Sequence, residues 1–577
     1  MKIISRNINK NALKKLKNEN INPILAQIYA SRGIDDPKLL KSNLSFLLRP
    51  DLLRDCQKSG NLLAKAIANN EKIIVIADYD ADGATACALI IDFLRTVSAN
   101  TGYLVPDRRK DGYGLTPELV ELAALKKPDW LITVDNGIAS VKGVERANEL
   151  QIKTVITDHH LPGADLPKAE AIVNPNQPKC NFPSKNLCGV GVIFYVASAI
   201  RKSLRDLDWF KKRPEPNMRE YLDLVALGTI ADVVPLDFNN RILVENGLSQ
   251  IRMGKNRPGI SALIEISGKK NQNLTSQDLA FSIAPRLNAA GRMENMASGI
   301  DCLLTQNCEN ARRLAVNLNN LNMARRQKEK EMKNSATTIV EQTIKQNYIG
   351  HTYFNDSWHE GLVGILASRI KEKINRPVFV FAPSINKSEL KGSGRSIQGF
   401  HLRDALDLIA KNNPTLLLKF GGHAMAAGLT IERNNLTLFK DVFNEVASQL
   451  ISNDQLEDVV LTDGSLGKKM NLREIDEIHK KIWGQGFEKP LFVDNFIVLD
   501  QYQIAKIHKK LIIRKDNDSQ EFEAVCFRET NFFPKKIKAV YELSINNYQN
   551  KKSIQLIIAH WYPCETSRKN DKILQNS

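Results

Sequence analysis

The 577-residue chain has eight cysteines, at positions 56, 87, 180, 188, 302, 308, 526 and 564, and they form neither a CxxC pair nor a zinc-finger spacing. That excludes a zinc ribbon or redox dithiol and leaves reduced structural thiols as the expectation. No apolar run approaches the ~18–20 residues that a membrane helix needs. The first 21 residues are rich in Lys and Asn and have no apolar core of the kind that a secretory signal carries. A soluble cytoplasmic protein with no membrane partner is therefore expected. There is no internal repeat and no low-complexity tract. Between 310 and 346 there is neither Gly nor Pro, while Leu314, Leu318, Leu321, Met332, Ile339 and Ile344 fall near helical spacing. The spacing predicts a single connector helix, ~55 Å long at 1.5 Å per residue, between two domains.

What is present is a long chain, 43% hydrophobic, with a formal net charge of +17. At roughly 100–200 residues per domain it should hold several. The basic balance favours a polyanionic partner, nucleic acid above all. Charge alone does not separate that reading from a general drift toward lysine.

Three polar clusters carry the chemistry. Asp78-Tyr79-Asp80-Ala81-Asp82-Gly83 follows the strand-like run 72–77, Asp135-Asn136-Gly137 follows 129–134, and Asp158-His159-His160 follows 152–157. Short apolar runs alternating with helical stretches from Lys72 to Pro235 predict a parallel α/β sheet. Ligands in such sheets gather beyond the carboxyl ends of the strands. Carboxylates delivered there together repel: one pair about 4 Å apart costs roughly 4 kcal/mol at an effective dielectric of about 20. Bound cations relieve that repulsion. Oxygen ligands with one imidazole suit Mn²⁺ or Mg²⁺ better than zinc, and two such ions suit phosphodiester hydrolysis. Taken singly, a DxD is commonplace, a DNG is most often a turn, and a lone His160 is most often structural. Their occurrence at successive strand ends raises the weight of each.

These clusters, with VPDRRKDGYGL (105–115), LCGVGV (187–192), LGTIADVVPL (227–236), APRLNAAGRM (284–293), KGSGRS (391–396) and GGHAMAAG (421–428), resemble the DHH phosphoesterase superfamily. Within it the chain is most similar to the bacterial RecJ single-strand exonuclease family, over nearly its whole length. Position by position, the resemblance implies Asp80, Asp82, Asp135, His159 and Asp232 as metal ligands for two Mn²⁺ or Mg²⁺ ions. It gives Asp78 a ligand or supporting role, has Asp158 support His159, and places His160 by the scissile phosphate or attacking water. Arg108, Arg286, Ser393, Arg395 and His423 are the candidate contacts to DNA, with KGSGRS read as a phosphate-cradling turn.

The fold implied is α/β: a helical lead-in (1–60), a DHH domain (61–240), a helical region with the connector (241–346), a DHH-associated domain (347–452) and an OB-type β-barrel (453–577). Hairpin signals at 516–519 and 547–552 agree with a small barrel. Residues 501–577 carry 14 Lys and Arg against 8 Asp and Glu. Tyr502, Phe522, Tyr541, Tyr548 and Trp561 are stacking candidates, about one of which should face DNA.

The resemblance further implies a 5′→3′ exonuclease on single-stranded DNA releasing 5′-mononucleotides in repair and recombination. It also implies a monomer, with a single-strand-binding protein and a helicase as partners. The alternatives are a DHH phosphoesterase on small phosphates or oligonucleotides and a non-catalytic DNA-binding relative.

Overall fold

The structure, a computed structural model, describes residues 2–107, 114–344, 348–384, 386–466, 471–516, 518–548 and 551–564. It divides into two compact units, residues 42–458 and residues 1–41 with 459–577.

In the larger unit the predicted strands form a five-stranded parallel sheet. Its order is Thr101–Leu104, Ile73–Ala77, Trp130–Val134, Lys153–Thr157, Ala171–Val173. The three strands that lead into the polar clusters are almost wholly buried, which explains their near-continuous apolar sequence. Chain order reverses at Ile73–Ala77, so the crevice beside that strand is a topological switch point. The helix that follows the first strand starts before Gly83, spanning Ala81–Thr96. Asp80 caps it, its Oδ1 accepting from the Asp82 and Gly83 amides at 2.8 and 3.0 Å, so local capping outweighs the glycine as a start signal.

The connector is one unbroken helix, Cys308–Ile344, of 37 residues. It packs on the helices Pro258–Ile266 and Ala284–Met293. The second sheet of this unit also has five strands, ordered Lys419–Gly422, Ala426–Glu432, Glu389–Arg395, Val378–Pro383, His351–Phe354. Only the last pair is parallel. Its core is aromatic: Phe379 meets Phe439 and Phe443 edge-on at 5.3 and 4.9 Å between ring centroids.

Here the sequence expectation fails. KGSGRS is not a turn. Residues 391–395 lie inside a central strand, paired on one side with Ala426–Thr430 and on the other with Val378–Ala382. Their amides belong to the sheet and cannot cradle a phosphate. The glycines have a packing cause: a Cβ at Gly392 or Gly394 would come within 2.4 or 2.5 Å of the Phe381 or Phe379 ring.

The smaller unit contains a closed five-stranded barrel of Phe492–Ile504, His508–Lys515, Glu521–Phe527, Lys551–Pro563 and Lys536–Tyr548. The segment 1–60, expected as one lead-in, divides. Lys2–Ser5 is a strand paired in parallel with Val459–Thr462. Asn22 and Pro23 start a helix: the Asn22 side chain accepts from the Ile24 amide at 2.9 Å and Pro23 opens the helix Pro23–Ser31. Tyr29 of that helix packs on Trp483 and Phe487, and Arg32 is held by Asp463. Contacts more than 400 residues apart in sequence have no local signature.

In the barrel Phe522 and Tyr541 are buried and Tyr502 is exposed. Trp561 donates to Glu529 at 3.0 Å, and the Tyr548 side chain lies outside the described residues. Phe527 and Phe532, which were not expected, are also exposed. Several lysines of the barrel are engaged within it: Lys509 lies over the Phe532 ring, Lys510 pairs with Glu523 and Lys536 with Asp516.

Candidate metal centre

Strand register builds the site. Ala77 pairs with Val134, and Val134 with Thr157. The next residue on each strand is an aspartate whose amide still donates to the neighbouring strand: Asp78 to Val134, Asp135 to Thr157 and Asp158 to Val173. Three carboxylates thus stand side by side where the sheet ends. The turn after Asp78 adds Asp80 and Asp82, and Asp232 caps the helix Leu222–Ala231. The following residue, Val233, has φ +62°. A β-branched residue held there costs on the order of 1–3 kcal/mol, and such strain collects at functional sites.

Ligand atoms converge in three overlapping groups, each within 4.8 Å: Asp78, Asp80 and Asp135; Asp82, His159 and Asp232; Asp135, His159 and His160. His159 Nε2 lies 3.1 Å from Asp135 Oδ1 and 3.4 Å from Asp232 Oδ2. All three atoms are buried and none has a hydrogen-bond partner within the protein. Buried polar atoms are normally satisfied, so this set fits a cation. Burial first, and the neighbouring carboxylates second, push Asp135 and Asp232 well above the usual carboxylate range, and Asp82 up to about 7. Burial, with the charge on His160, drives His159 down to about 3, leaving the neutral imidazole that a metal requires. Asp135 belongs to two of these groups and His159 to two, so carboxylate donors run together around an imidazole. Mn²⁺ or Mg²⁺ suits such donors.

The surroundings fix these groups. Asp82 accepts from the amides of Gly189 and Val190 at 2.6 and 2.9 Å, the start of the helix Gly189–Asp206. Gly189 is required there, since a Cβ would sit 2.5 Å from the Asp135 side chain. Asp158 holds the His159 backbone, its Oδ1 accepting from the His159 amide at 2.7 Å, but the ring it bonds is that of His160. Asp158 Oδ1 contacts His160 Nδ1 at 2.7 Å and its Oδ2 accepts from Ile138 N, while the His159 ring bonds the Leu187 backbone. The reach of a residue one position further along the chain decides which ring Asp158 orients. Burial opposes charge on His160, but Asp158, with Asp78 and Asp80 behind it, raises it to about 9. Burial opposes the Asp158 charge too, yet the His160 bond holds that carboxyl at about 2.

His423 faces this pair from the second sheet, its ring stacked on His160 at 5.7 Å between centroids. Ser393 and Arg395 project from one face of their strand, Arg395 donating to Ser368, Ser393 and Gly394. Beside them a cavity of about 340 Å³ is lined by Tyr79, Arg292, Lys391, Ser393, Lys419 and Phe420 among others. Arg286 is not placed there. It is buried, donating to Asn319 of the connector at 3.0 Å and to the Ser282 carbonyl, so its guanidinium is committed to packing. Arg108 lies outside the described residues. Asn288 was not singled out from the sequence, although it lies in the APRLNAAGRM motif. It accepts from the Ala81 amide at 2.8 Å.

Family models match for the DHH family N-terminal domain over 72–229, the DHHA1 domain over 345–449 and the RecJ OB domain over 463–560. The chain is 44% identical over 554 residues to the single-stranded-DNA-specific exonuclease RecJ of Escherichia coli, covering 94% of this chain and 96% of that protein. It belongs to the RecJ family. The Bacillus subtilis RecJ is 34% identical over 93% of this chain and 68% of its own length. Among solved RecJ structures, that from Thermus thermophilus in complex with Mn²⁺ matches with a TM-score of 0.81 at 26% identity, covering 98% of this chain and 80% of that one. A second RecJ, bound to manganese, matches with a TM-score of 0.57 at 32% identity over 69% of this chain and 96% of that one. The three RecJ family domains fall on the parallel sheet, the second sheet and the barrel.

Proposed function

We propose that the protein is a divalent-metal-dependent exonuclease specific for single-stranded DNA, acting from the 5′ end and releasing 5′-mononucleotides in repair and recombination. The observation that carries this reading is the convergence of Asp78, Asp80, Asp82, Asp135, His159 and Asp232 around buried, unsatisfied ligand atoms. Asp82, His159 and Asp232 would hold one ion, Asp78 and Asp80 a second, with Asp135 between them. When bound, two Mn²⁺ or Mg²⁺ ions supply Lewis-acid charge and lower the pKa of water.

The protein's own groups do the rest. Asp158 keeps a proton on His160, and a cationic imidazole beside the carboxylates suits a non-bridging oxygen of the scissile phosphate. His423 closes that position from the opposite side. Ser393 and Arg395, joined by Arg108, would receive the 5′ end, and the cavity beside Tyr79 has the volume of a small-ligand site. The barrel would carry the strand, with Tyr502 as a stacking surface. No described helix is long and apolar enough to cross a membrane. A cytoplasmic monomer working with a single-strand-binding protein and a helicase completes the proposal.

A phosphoesterase for small substrates would have no use for the barrel, and a non-catalytic relative would not keep every ligand. Strands labelled at either end, single or duplex, incubated with Mn²⁺ or EDTA, test the reading. Mononucleotides should appear first from the 5′ label, from single strands, and only with metal. Release from the 3′ end first, or equal turnover of blunt duplex, would reject it.

A further inference from the structure

A helix leaves its first amides without internal acceptors. In the helix Ala81–Thr96, which carries Asp82 in its first turn, Asp80 Oδ1 takes the amides of Asp82 and Gly83. The remaining first-turn amide, that of buried Ala81, is taken by Asn288 Oδ1 at 2.8 Å. Asn288 lies 207 residues away in sequence, on the helix Ala284–Met293, beyond the matched metal domain, which ends at residue 229. That helix touches the ligand turn a second time. A Cβ at Gly291 would come within 1.9 Å of the Tyr79 carbonyl oxygen, so the backbones of helix and turn are in direct contact. Its last turn reaches the opposite domain, Arg292 donating to the Gly361 carbonyl at 3.2 Å.

We propose that Asn288 is a positioning residue of the metal centre, acting through the Ala81 amide to hold the turn that carries the Asp80 and Asp82 carboxylates in place for the ion; this rests on the metal-centre reading above. A buried amide stripped of its acceptor carries a desolvation cost. The carboxylates of Asp80 and Asp78 lie one and three residues before Ala81 in the chain. Without Asn288 the amide competes with the metal for a ligand oxygen. An acceptor at position 288 removes that competition, and an apolar side chain of the same size does not.

The test is Mn²⁺ binding to the full-length protein, read by the electron paramagnetic resonance of free Mn²⁺, with thermal unfolding of the metal-free proteins alongside. Asn288→Leu should weaken Mn²⁺ binding about 10–100-fold, the usual loss when a ligand's supporting bond is removed. Asn288→Asp, which keeps an acceptor in place, should bind within about threefold of wild type, on the same reasoning. On single-stranded DNA at saturating Mn²⁺, the Leu variant should lose kcat and keep KM. Wild-type affinity in Asn288→Leu would overturn the role. So would equal losses of affinity and unfolding temperature in both variants, which would make Asn288 a packing residue only. If Asn288→Leu does not fold, Asn288→Asp still decides: a roughly tenfold weaker site in a folded Asp variant overturns the proposal, and near-wild-type binding upholds it. Failure of wild type itself to bind Mn²⁺ would instead reject the metal-centre reading.

Discussion

The two five-stranded sheets of the larger unit place function in opposite ways. In the parallel sheet the working groups stand just past the last paired residue of each strand, their amides still bonded to the neighbouring strand while their side chains converge beyond the sheet. In the mixed sheet Ser393 and Arg395 lie inside a strand paired on both sides, so only their side chains can meet a ligand. Glycine marks the same contrast. Gly189 makes room for the Asp135 carboxylate, whereas Gly392 makes room for a core phenylalanine.

The largest effect should come from the parallel sheet. Combining Asp80→Ala with Asp135→Ala removes donors from both ion positions, and Lewis-acid assistance is worth several kcal/mol. Hydrolysis should fall at least ~10³-fold while strand binding, measured by fluorescence anisotropy, stays within a few-fold. Unchanged turnover would empty the site of meaning.

A matched pair of glycine variants separates the sheets directly. Gly189→Ala should displace Asp135 and cost about 10²-fold in kcat, the scale of a misplacement near 1 Å, with little change in unfolding temperature. Gly392→Ala should instead overpack the Phe381 ring and cost about 1–3 kcal/mol of stability, with Mn²⁺ affinity unchanged. Reversed outcomes would break the comparison.

A third test uses pH. In the folded, metal-free protein Asp82, Asp135 and Asp232 hold protons that the unfolded chain releases near its ordinary carboxylate value of 3.8. Their raised values favour folding fully below that point, and the contribution is lost as pH rises through the folded values, which for Asp82 means about 7. Mn²⁺ should therefore raise the unfolding temperature more at about pH 8 than at about pH 5, and Asp82→Asn should flatten the metal-free slope. The smallest effect belongs to the mixed sheet. Ser393→Ala should remove one hydrogen bond to a charged group, raising KM for 5′-phosphorylated strands by about 10-fold and leaving 5′-hydroxyl strands unaffected.

The parallel sheet was legible because its signals are local: buried strands read as apolar runs, and each ends on a polar cluster. Asp80, Asp82, Asp135, His159 and Asp232 lie in overlapping clusters, though nothing near Asp232 in the chain distinguishes it, and its place came from resemblance. The connector was legible because 37 residues without Gly or Pro leave few alternatives. KGSGRS was misread because glycine pairs look like turns, while the reason for them lies in rings brought from Phe379 and Phe381. Arg286 was misread because a charged residue gives no sign of whether its partner is solvent or Asn319. Asn288, the strand Lys2–Ser5 and the Arg32–Asp463 pair depend on contacts hundreds of residues apart, which no window along the chain can contain.

The alignment of Asp78, Asp135 and Asp158 just past three neighbouring strands makes the bound ion a gauge of how those strands are matched. A slip of one residue turns a side chain to the opposite face, so a misaligned Trp130–Val134 strand would point Asp135 away from both ion positions. Such a species keeps its secondary structure and loses its affinity for divalent ions. Manganese in the growth medium or refolding buffer would therefore draw the population toward the correctly matched sheet, and an immobilised ion would sort the two.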